Sequence, residues 1–164
     1  MKDTDGLSFR TAEKKDLPQI LEMLHVLASY EHLEKQLAIT EEIIDDWFFR
    51  RQVLTALLEE KDGRVIGMAT YYETYSTFRG RTGLYLEDLI VRSEMRGLGY
   101  GRKLLMHYLA LAEKQGCYEA SWNCLVWNQA SRSFYKSIGA EEEKEWIRYH
   151  ISTAQIDAAL KKAD

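Results

Sequence analysis

The chain has 164 residues, 46% of them hydrophobic and 29% charged, with a formal net charge of −4. Length and apolar fraction fit one domain spanning residues 1–164 and exclude wholesale disorder. The acidic balance, with a pI of about 5.6, argues against a nucleic-acid partner, which needs a basic face to displace counterions. Cys117 and Cys124 exclude a disulfide scaffold and lack the paired spacing of a zinc knuckle. His25, His32, His107 and His150 form no HxH or HExxH pattern, so no metal is expected. The stretch Met1-Lys2-Asp3-Thr4-Asp5 is polar, and no apolar run approaches the ~20 residues of a membrane span. The expectation is a cytoplasmic protein with no membrane partner.

In chain order, a short strand over 7–10 precedes a helix that Asp16 caps and Pro18 opens. Ile20, Leu21, Leu24, Leu27 and Ala28 recur at helical spacing to about Tyr30. Thr40, followed by Glu41 and Glu42, starts a second helix with acids at its positive end. Residues 53–58 read as a strand, Lys61-Asp62-Gly63 as a hairpin turn, and 64–75 as a long strand. Gly80 and Gly83 break the chain in a loop over 76–83, and 84–91 is again a strand.

Arg96-Gly97-Leu98-Gly99-Tyr100-Gly101 then opens a helix with Leu104, Leu105, Tyr108, Leu111 and Ala112 on its apolar face. Gly116 ends it as a left-handed cap. The alternation of Tyr118, Ala120, Trp122, Cys124 and Val126 predicts a strand over 118–126. A helix over 130–138 ends at Gly139, 146–151 reads as a strand, and Ser152 with Gln155 forms a capping box for a helix over 152–163. The order predicts an α/β fold: a mixed sheet flanked by helices.

The strongest local signal is the strand, glycine loop and helix at 96–101. Close glycines turn backbone N–H groups toward one point, and the helix start adds positive potential there, which suits a pyrophosphate. The loop lacks the spacing of a P-loop, and a dinucleotide GxGxxG fails because its third glycine would fall on Arg102 or Leu104. A plain turn joining strand to helix is the competing reading.

Arg96-x-x-Gly99-x-Gly101 resembles the coenzyme A signature of the GCN5-related N-acetyltransferases (GNAT). Tyr85-Leu86-Glu87-Asp88 before it, and Asn128, Ser133-Phe134-Tyr135-Lys136 and Gly139-Ala140 after it, resemble that family's catalytic strand and asparagine–tyrosine helix. The chain looks most like the spermidine/spermine (diamine) subgroup, through Tyr30-Glu31, Ala69-x-Tyr71-Tyr72, Thr74-Tyr75 and Trp127-Asn128. The subgroup's acid, proline and tryptophan after the Thr-Tyr pair are here Ser76-Thr77-Phe78, so its acidic partner for a distant amine is missing. The resemblance implies a single-domain GNAT-like fold with a mixed, largely antiparallel sheet flanked by helices. It also implies acetyl-CoA as cosubstrate, a small-molecule amine as acceptor, and a homodimer.

Acetyl transfer to an amine requires a held donor, a base for an ammonium whose pKa is about 10, and a proton for the departing sulfur. The resemblance puts the base at Glu87 and leaves Asp88 for substrate charge or structure. In a regular strand the two side chains point to opposite faces, so serving one site together needs a bulge. Glu87 alone also reads as a paired charge at a sheet edge. Tyr135 is the candidate acid, or else a core aromatic; Asn128 is a pantetheine ligand, a helix cap, or both. Donor binding falls to the backbone of Leu89, Ile90 and Val91 and of Gly97, Leu98, Gly99, Tyr100, Gly101 and Arg102, with Arg96 and Lys136. Acceptor candidates are Tyr30, Glu31, Phe78, Glu87, Asp88 and Trp146, the last of which equally suits core packing.

Cys124 is a conceivable acyl carrier, but a mid-strand thiol with no adjacent histidine favours direct transfer in a ternary complex. Two other readings stay open: a different acceptor (amino acid, antibiotic or protein N-terminus), and a CoA-binding sensor without catalysis.

Overall fold

Asp62 and Gly63 both hold positive φ, 52° and 81°, the two-residue turn that Asp-Gly favours because its twist matches the flanking strands. The hairpin it closes joins β2 (Thr55–Lys61) to β3 (Arg64–Ser76). The computed structural model describes residues 6–162; the polar stretch 1–5 and Ala163, the expected end of the last helix, lie outside the described residues. β1 (Leu7–Thr11) pairs antiparallel with β2, and β4 (Arg81–Val91) pairs antiparallel with β3. β5 (Ala120–Trp122) pairs parallel with β4, giving the order β1-β2-β3-β4-β5. The sheet is thus mixed and largely antiparallel, as expected.

Helices cover both faces. α1 (Leu17–Glu31) and α2 (Glu41–Ile44), which runs into a π-helical turn over Asp45–Arg50, lie on one. There Ile20, Met23, Leu24, Ile44 and Phe48 pack with Ala56, Leu58, Met68 and Ile90. Each fully buried aliphatic chain contributes roughly 1.5–3 kcal/mol. Thr40 caps α2 by accepting from the Ile43 N–H at 3.3 Å. Asp16 does not cap α1 as expected. Its carboxylate accepts the Glu13 N–H at 2.8 Å and a bidentate pair from Arg10 at 2.6 and 2.8 Å, because the charged fork is the stronger donor.

α3 (Tyr100–Lys114) covers the other face with Leu104, Leu105, Tyr108 and Ala112 buried. Gly116, at φ 70°, ends it, and Cys117 N–H reaches back to Ala112 O at 3.0 Å. Tyr108 is fully buried and donates its hydroxyl to Leu84 O at 2.7 Å, tying α3 to β4. These elements belong to a compact unit that ends at Asn123.

The unit from Cys124 onward holds α4 (Gln129–Ser137) and α5 (Thr153–Leu160). Gly139, at φ 87°, terminates α4, and the Ser152–Gln155 capping box starts α5. Three expectations are corrected. The strand over 118–126 shrinks to Ala120–Trp122. Residues 146–151 form no strand, and Trp146, Ile147 and Tyr149 stand exposed. Alternation supplies a strand's pattern but not the neighbouring ladder it requires. Gly83 is no breaker; it lies in β4, where a Cβ would meet Thr74 Oγ1 at 2.8 Å.

Tyr108→Phe keeps the packing and removes one buried hydrogen bond, while Leu84 O keeps its place in the β4–β5 ladder. It should cost about 0.5–1.5 kcal/mol, measured as a lower urea midpoint at unchanged slope.

Candidate active site

β4 changes neighbours along its length. Leu84, Tyr85 and Leu86 pair with Ala120, Ser121 and Trp122 of β5, and that ladder ends there. On the other side the β3–β4 register slips: Thr70 faces Asp88 and Tyr71 faces Leu86, which leaves Glu87 as the extra residue of a β-bulge. The bulge breaks the alternation of β4 at Glu87, so that Leu86 and Asp88, two residues apart, pair with the adjacent Tyr71 and Thr70 and no longer share a face. Past it, Leu89, Ile90 and Val91 keep Ala69, Met68 and Gly67 on one edge, while the β5 ladder has stopped on the other. An edge of this kind suits amide groups arriving as an added strand.

Glu87 is exposed. Asp88 is half-buried and accepts a short hydrogen bond from the Thr70 hydroxyl. Burial pushes the Asp88 carboxyl up to about 6; the Thr70 bond opposes this, and the negative charges of Glu87 and Glu31 add to it. Burial likewise raises Glu31, at the end of α1. Asp88 thus feels the negative charge of both Glu87 and Glu31, an environment that favours an approaching ammonium.

The loop before α3 turns at Gly97 and Gly99, with φ 76° and 85°, where a Cβ would strain the backbone. Lys103 N–H makes its bond to Gly99 O at 3.1 Å, so the N–H groups of Tyr100, Gly101 and Arg102 precede the helical ladder. Leu98 and Arg102 are exposed. These donors, the helix dipole and the open β4 edge fit the phosphates and amides of acetyl-CoA. Gly101 departs from the expectation: its φ is ordinary, and a Cβ there would meet only Val91 Cγ2 at 3.6 Å. Arg96 is exposed but engaged. Its Nε donates to Val91 O at 3.0 Å, and its guanidinium lies 4.5 Å over the Tyr30 ring. A residue expected at the donor phosphates and one expected at the acceptor therefore stack on each other.

Phe78 is fully exposed in the turn between β3 and β4. In the second unit, Asn128 is buried and caps α4, its Oδ1 accepting from Ser131 N–H at 3.1 Å. Tyr135 is half-buried with its ring against Phe134, 5.3 Å between centroids. Lys136 is paired with Glu142 at 3.0 Å, and Trp146 is 80% exposed. Cys124 is half-buried and in no disulfide. No group of three or more metal-ligating side chains occurs among the described residues. No helix of the described residues is long and apolar enough to cross a membrane.

Two residues escaped the sequence reading. Thr70 is a buried hydroxyl within the apolar run Gly67-Met68-Ala69-Thr70-Tyr71; a polar residue inside such a run was the available signal. Glu59 is a fully buried acid in β2; it shares the strand phase of Leu57, and this pointed inward.

Gly99→Ala should lower stability by about 1–2 kcal/mol through its positive φ, whereas Gly101→Ala should leave thermal unfolding unchanged or slightly raised. Differential scanning calorimetry of the two variants separates these outcomes.

Comparison with known proteins agrees with this geometry. The Acetyltransferase (GNAT) family profile matches residues 17–140. A thialysine N-epsilon-acetyltransferase of Bos taurus is 33% identical over 163 residues, covering 94% of this chain and 95% of its own. A spermidine/spermine N(1)-acetyltransferase-like protein 1 of Homo sapiens is 29% identical over 93% of this chain but only 23% of its own length. Among solved structures, an integron cassette protein from the mobile metagenome of V. cholerae superposes with a TM-score of 0.77 at 22% identity, covering 95% of this chain and 98% of that one. With bulged β4, glycine loop and profile match in agreement, the chain belongs to the GNAT acetyltransferase family and is an acyltransferase.

Proposed function

We propose that this enzyme moves an acetyl group from acetyl-CoA to a primary amine of a small lysine-like, diamine or polyamine substrate, directly and within a ternary complex. The observation that carries this is the bulge at Glu87, which stands beside Asp88, an acid that feels Glu31, at the point where the β5 ladder ends. The relatives named for thialysine and for spermidine/spermine support a flexible cationic acceptor.

Acetyl-CoA supplies an activated thioester and a thiol leaving group. The open edge of Leu89, Ile90 and Val91 holds the pantetheine amides, and the N–H groups at the start of α3 hold the pyrophosphate. Asn128 and Lys136 add donor contacts. Asp88 and Glu31 hold the ammonium. Glu87 removes its proton, so that the nitrogen lone pair is free for bond formation. As the nitrogen–carbon bond forms and the carbon–sulfur bond breaks, Tyr135 gives its hydroxyl proton to sulfur. Tyr30 and Trp146 wall the acceptor, and Phe78 stands where the diamine subgroup carries its tryptophan. The chain acts as one N-acetyltransferase domain in the cytoplasm. Its two cysteines, neither in a disulfide, fit a reducing compartment. It works as a homodimer, for which the exposed Trp146, Ile147 and Tyr149 offer apolar surface.

Free-thiol release from acetyl-CoA across a panel of lysine, thialysine, ornithine, diamines and spermidine tests the reading. Turnover with at least one flexible cationic amine is expected; a folded protein inert toward all of them would overturn it. With the preferred amine, kcat/KM should fall as pH drops through about 6, because Asp88 then takes a proton and loses its hold on the ammonium. Asp88→Asn should erase that limb and lower kcat/KM ~10- to 150-fold, the weight of one hydrogen bond to a charged group. Tyr135→Phe should lower kcat by ~100- to 10,000-fold with little change in acetyl-CoA affinity. Cys124→Ala should remain active; a dead Cys124→Ala beside an active Tyr135→Phe would establish a covalent route instead.

A further inference from the structure

The sheet face under α3 contains a fully buried acid. Glu59 is 0% exposed, and neither of its carboxyl oxygens has a hydrogen-bond partner among the described residues. It sits in β2 between Phe9 of β1 and Gly67 of β3, just before the register slips at Glu60. Its room exists because residue 67 has no side chain: a Cβ there would stand 2.6 Å from Glu59 Oε2 and 3.2 Å from Leu104 Cδ2 of α3. The carboxyl is therefore wedged between the sheet and the first turns of α3, the helix whose start forms the glycine-loop anion site.

The groups facing it from each packed element are few. β1 contributes Phe9, whose ring stacks on His107 at 4.5 Å between centroids. β3 contributes Gly67, and across from that β4 contributes Val91. α3 contributes Leu104, Lys103 and His107. Lys103 and Lys61 both flank the Tyr100 ring, at 5.9 and 5.6 Å. Burial lowers His107, so at neutral pH it adds no charge. Among the described residues Lys103 is the cation that acts on Glu59, and its pull is smaller than the opposing cost of burial. The outcome of that contest is a carboxyl pushed up to about 8, largely protonated at neutral pH.

We propose that Glu59 is a protonated floor beneath the anion site at the start of α3, and that binding the donor's phosphates there draws a proton from solvent onto it. The physical cause is shared positive potential. Ionised Glu59 and a bound pyrophosphate compete for Lys103 and for the dipole of α3, and the dry interior screens their repulsion poorly. By linkage, whatever raises proton affinity on binding makes the protonated protein the tighter binder. A carboxyl titrating near neutrality thereby sets a pH ceiling on donor capture. This rests on the reading of residues 97–102 as the donor phosphate site.

Calorimetric titration of acetyl-CoA into the full chain, at pH 8 and pH 6 in buffers of different ionisation enthalpy, counts protons exchanged. At pH 8 the donor's phosphates are fully ionised, and the wild type should take up as much as about half a proton, as a group half-loaded at that pH allows. Its Kd should weaken up to about tenfold from pH 7 to pH 9. Glu59→Gln, which mimics the protonated form, should take up no proton at pH 8 and bind equally well across that range. Thermal unfolding gives a second readout. A carboxyl raised in the folded state favours folding least once pH exceeds its folded value, so the wild type should lose stability relative to Glu59→Gln between pH 5 and pH 9. If Glu59→Gln does not fold, Glu59→Met serves the same comparison. Absence of uptake by the wild type at pH 8, or the same uptake and pH slope in the variant, would overturn the proposal. A folded wild type that does not bind acetyl-CoA at all would instead overturn the donor-site reading.

Discussion

One extra residue in β4 organises the functional end of the sheet. Up to Leu86 the strand is paired on both edges, and beyond Glu87 it continues with β3 alone. A strand cannot lose a neighbour and keep its polar groups satisfied unless something else approaches that edge or water reaches it. The bulge falls at this change of pairing. It places two consecutive carboxylates at the point where the β5 ladder ends, so acid–base groups and a backbone docking edge meet at the same local irregularity. The fixed relation between them is backbone geometry, stiffer than any side-chain arrangement.

The two faces of the sheet divide the remaining work. The α1 and α2 face is mainly apolar and supplies stability, and it also carries Thr70 and Asp88, which share the strand phase of Met68 and Ile90. The α3 face holds a buried tyrosine bonded to the β4 backbone, a buried acid under the first helical turns, and the glycine loop at their end. Arg96 crosses between these regions. Held by Val91 O and laid over Tyr30, it couples the loop before α3 to the end of α1. An arginine suits that role better than a phosphate contact here, because a planar guanidinium can accept a ring face and donate in its own plane at once.

Much of this was legible in the sequence where local chemistry decides the outcome. Asp62-Gly63, Thr40, Gly116, Gly139 and the Ser152–Gln155 box all fix turns or caps through short-range rules, and all appear in the fold. The glycine loop was visible for the same reason, although its third glycine has an ordinary backbone. What depends on distant partners was not legible. The bulge at Glu87 is a property of two strands in register, and no single strand encodes it. Residues 146–151 have the alternation of a strand and no ladder, since alternation does not supply a neighbour. Asp16 prefers Arg10 over its helix because Arg10 arrives from another element. Glu59 and Thr70 matter through burial, which only the assembled layers define.

The contact between Gly67 and Glu59 has a consequence for how this sequence can change. The long side chain at residue 59 depends on the glycine at residue 67: an acid fills the space the glycine leaves, and a Cβ on residue 67 would stand 2.6 Å from a carboxylate oxygen and 3.3 Å from Glu59 Cβ. Their substitutions are therefore epistatic. Residue 59 must shorten before residue 67 can grow, so paths through sequence space that take the steps in the opposite order pass through a strained protein. The pair behaves as a single inherited unit, with an order of replacement imposed by geometry.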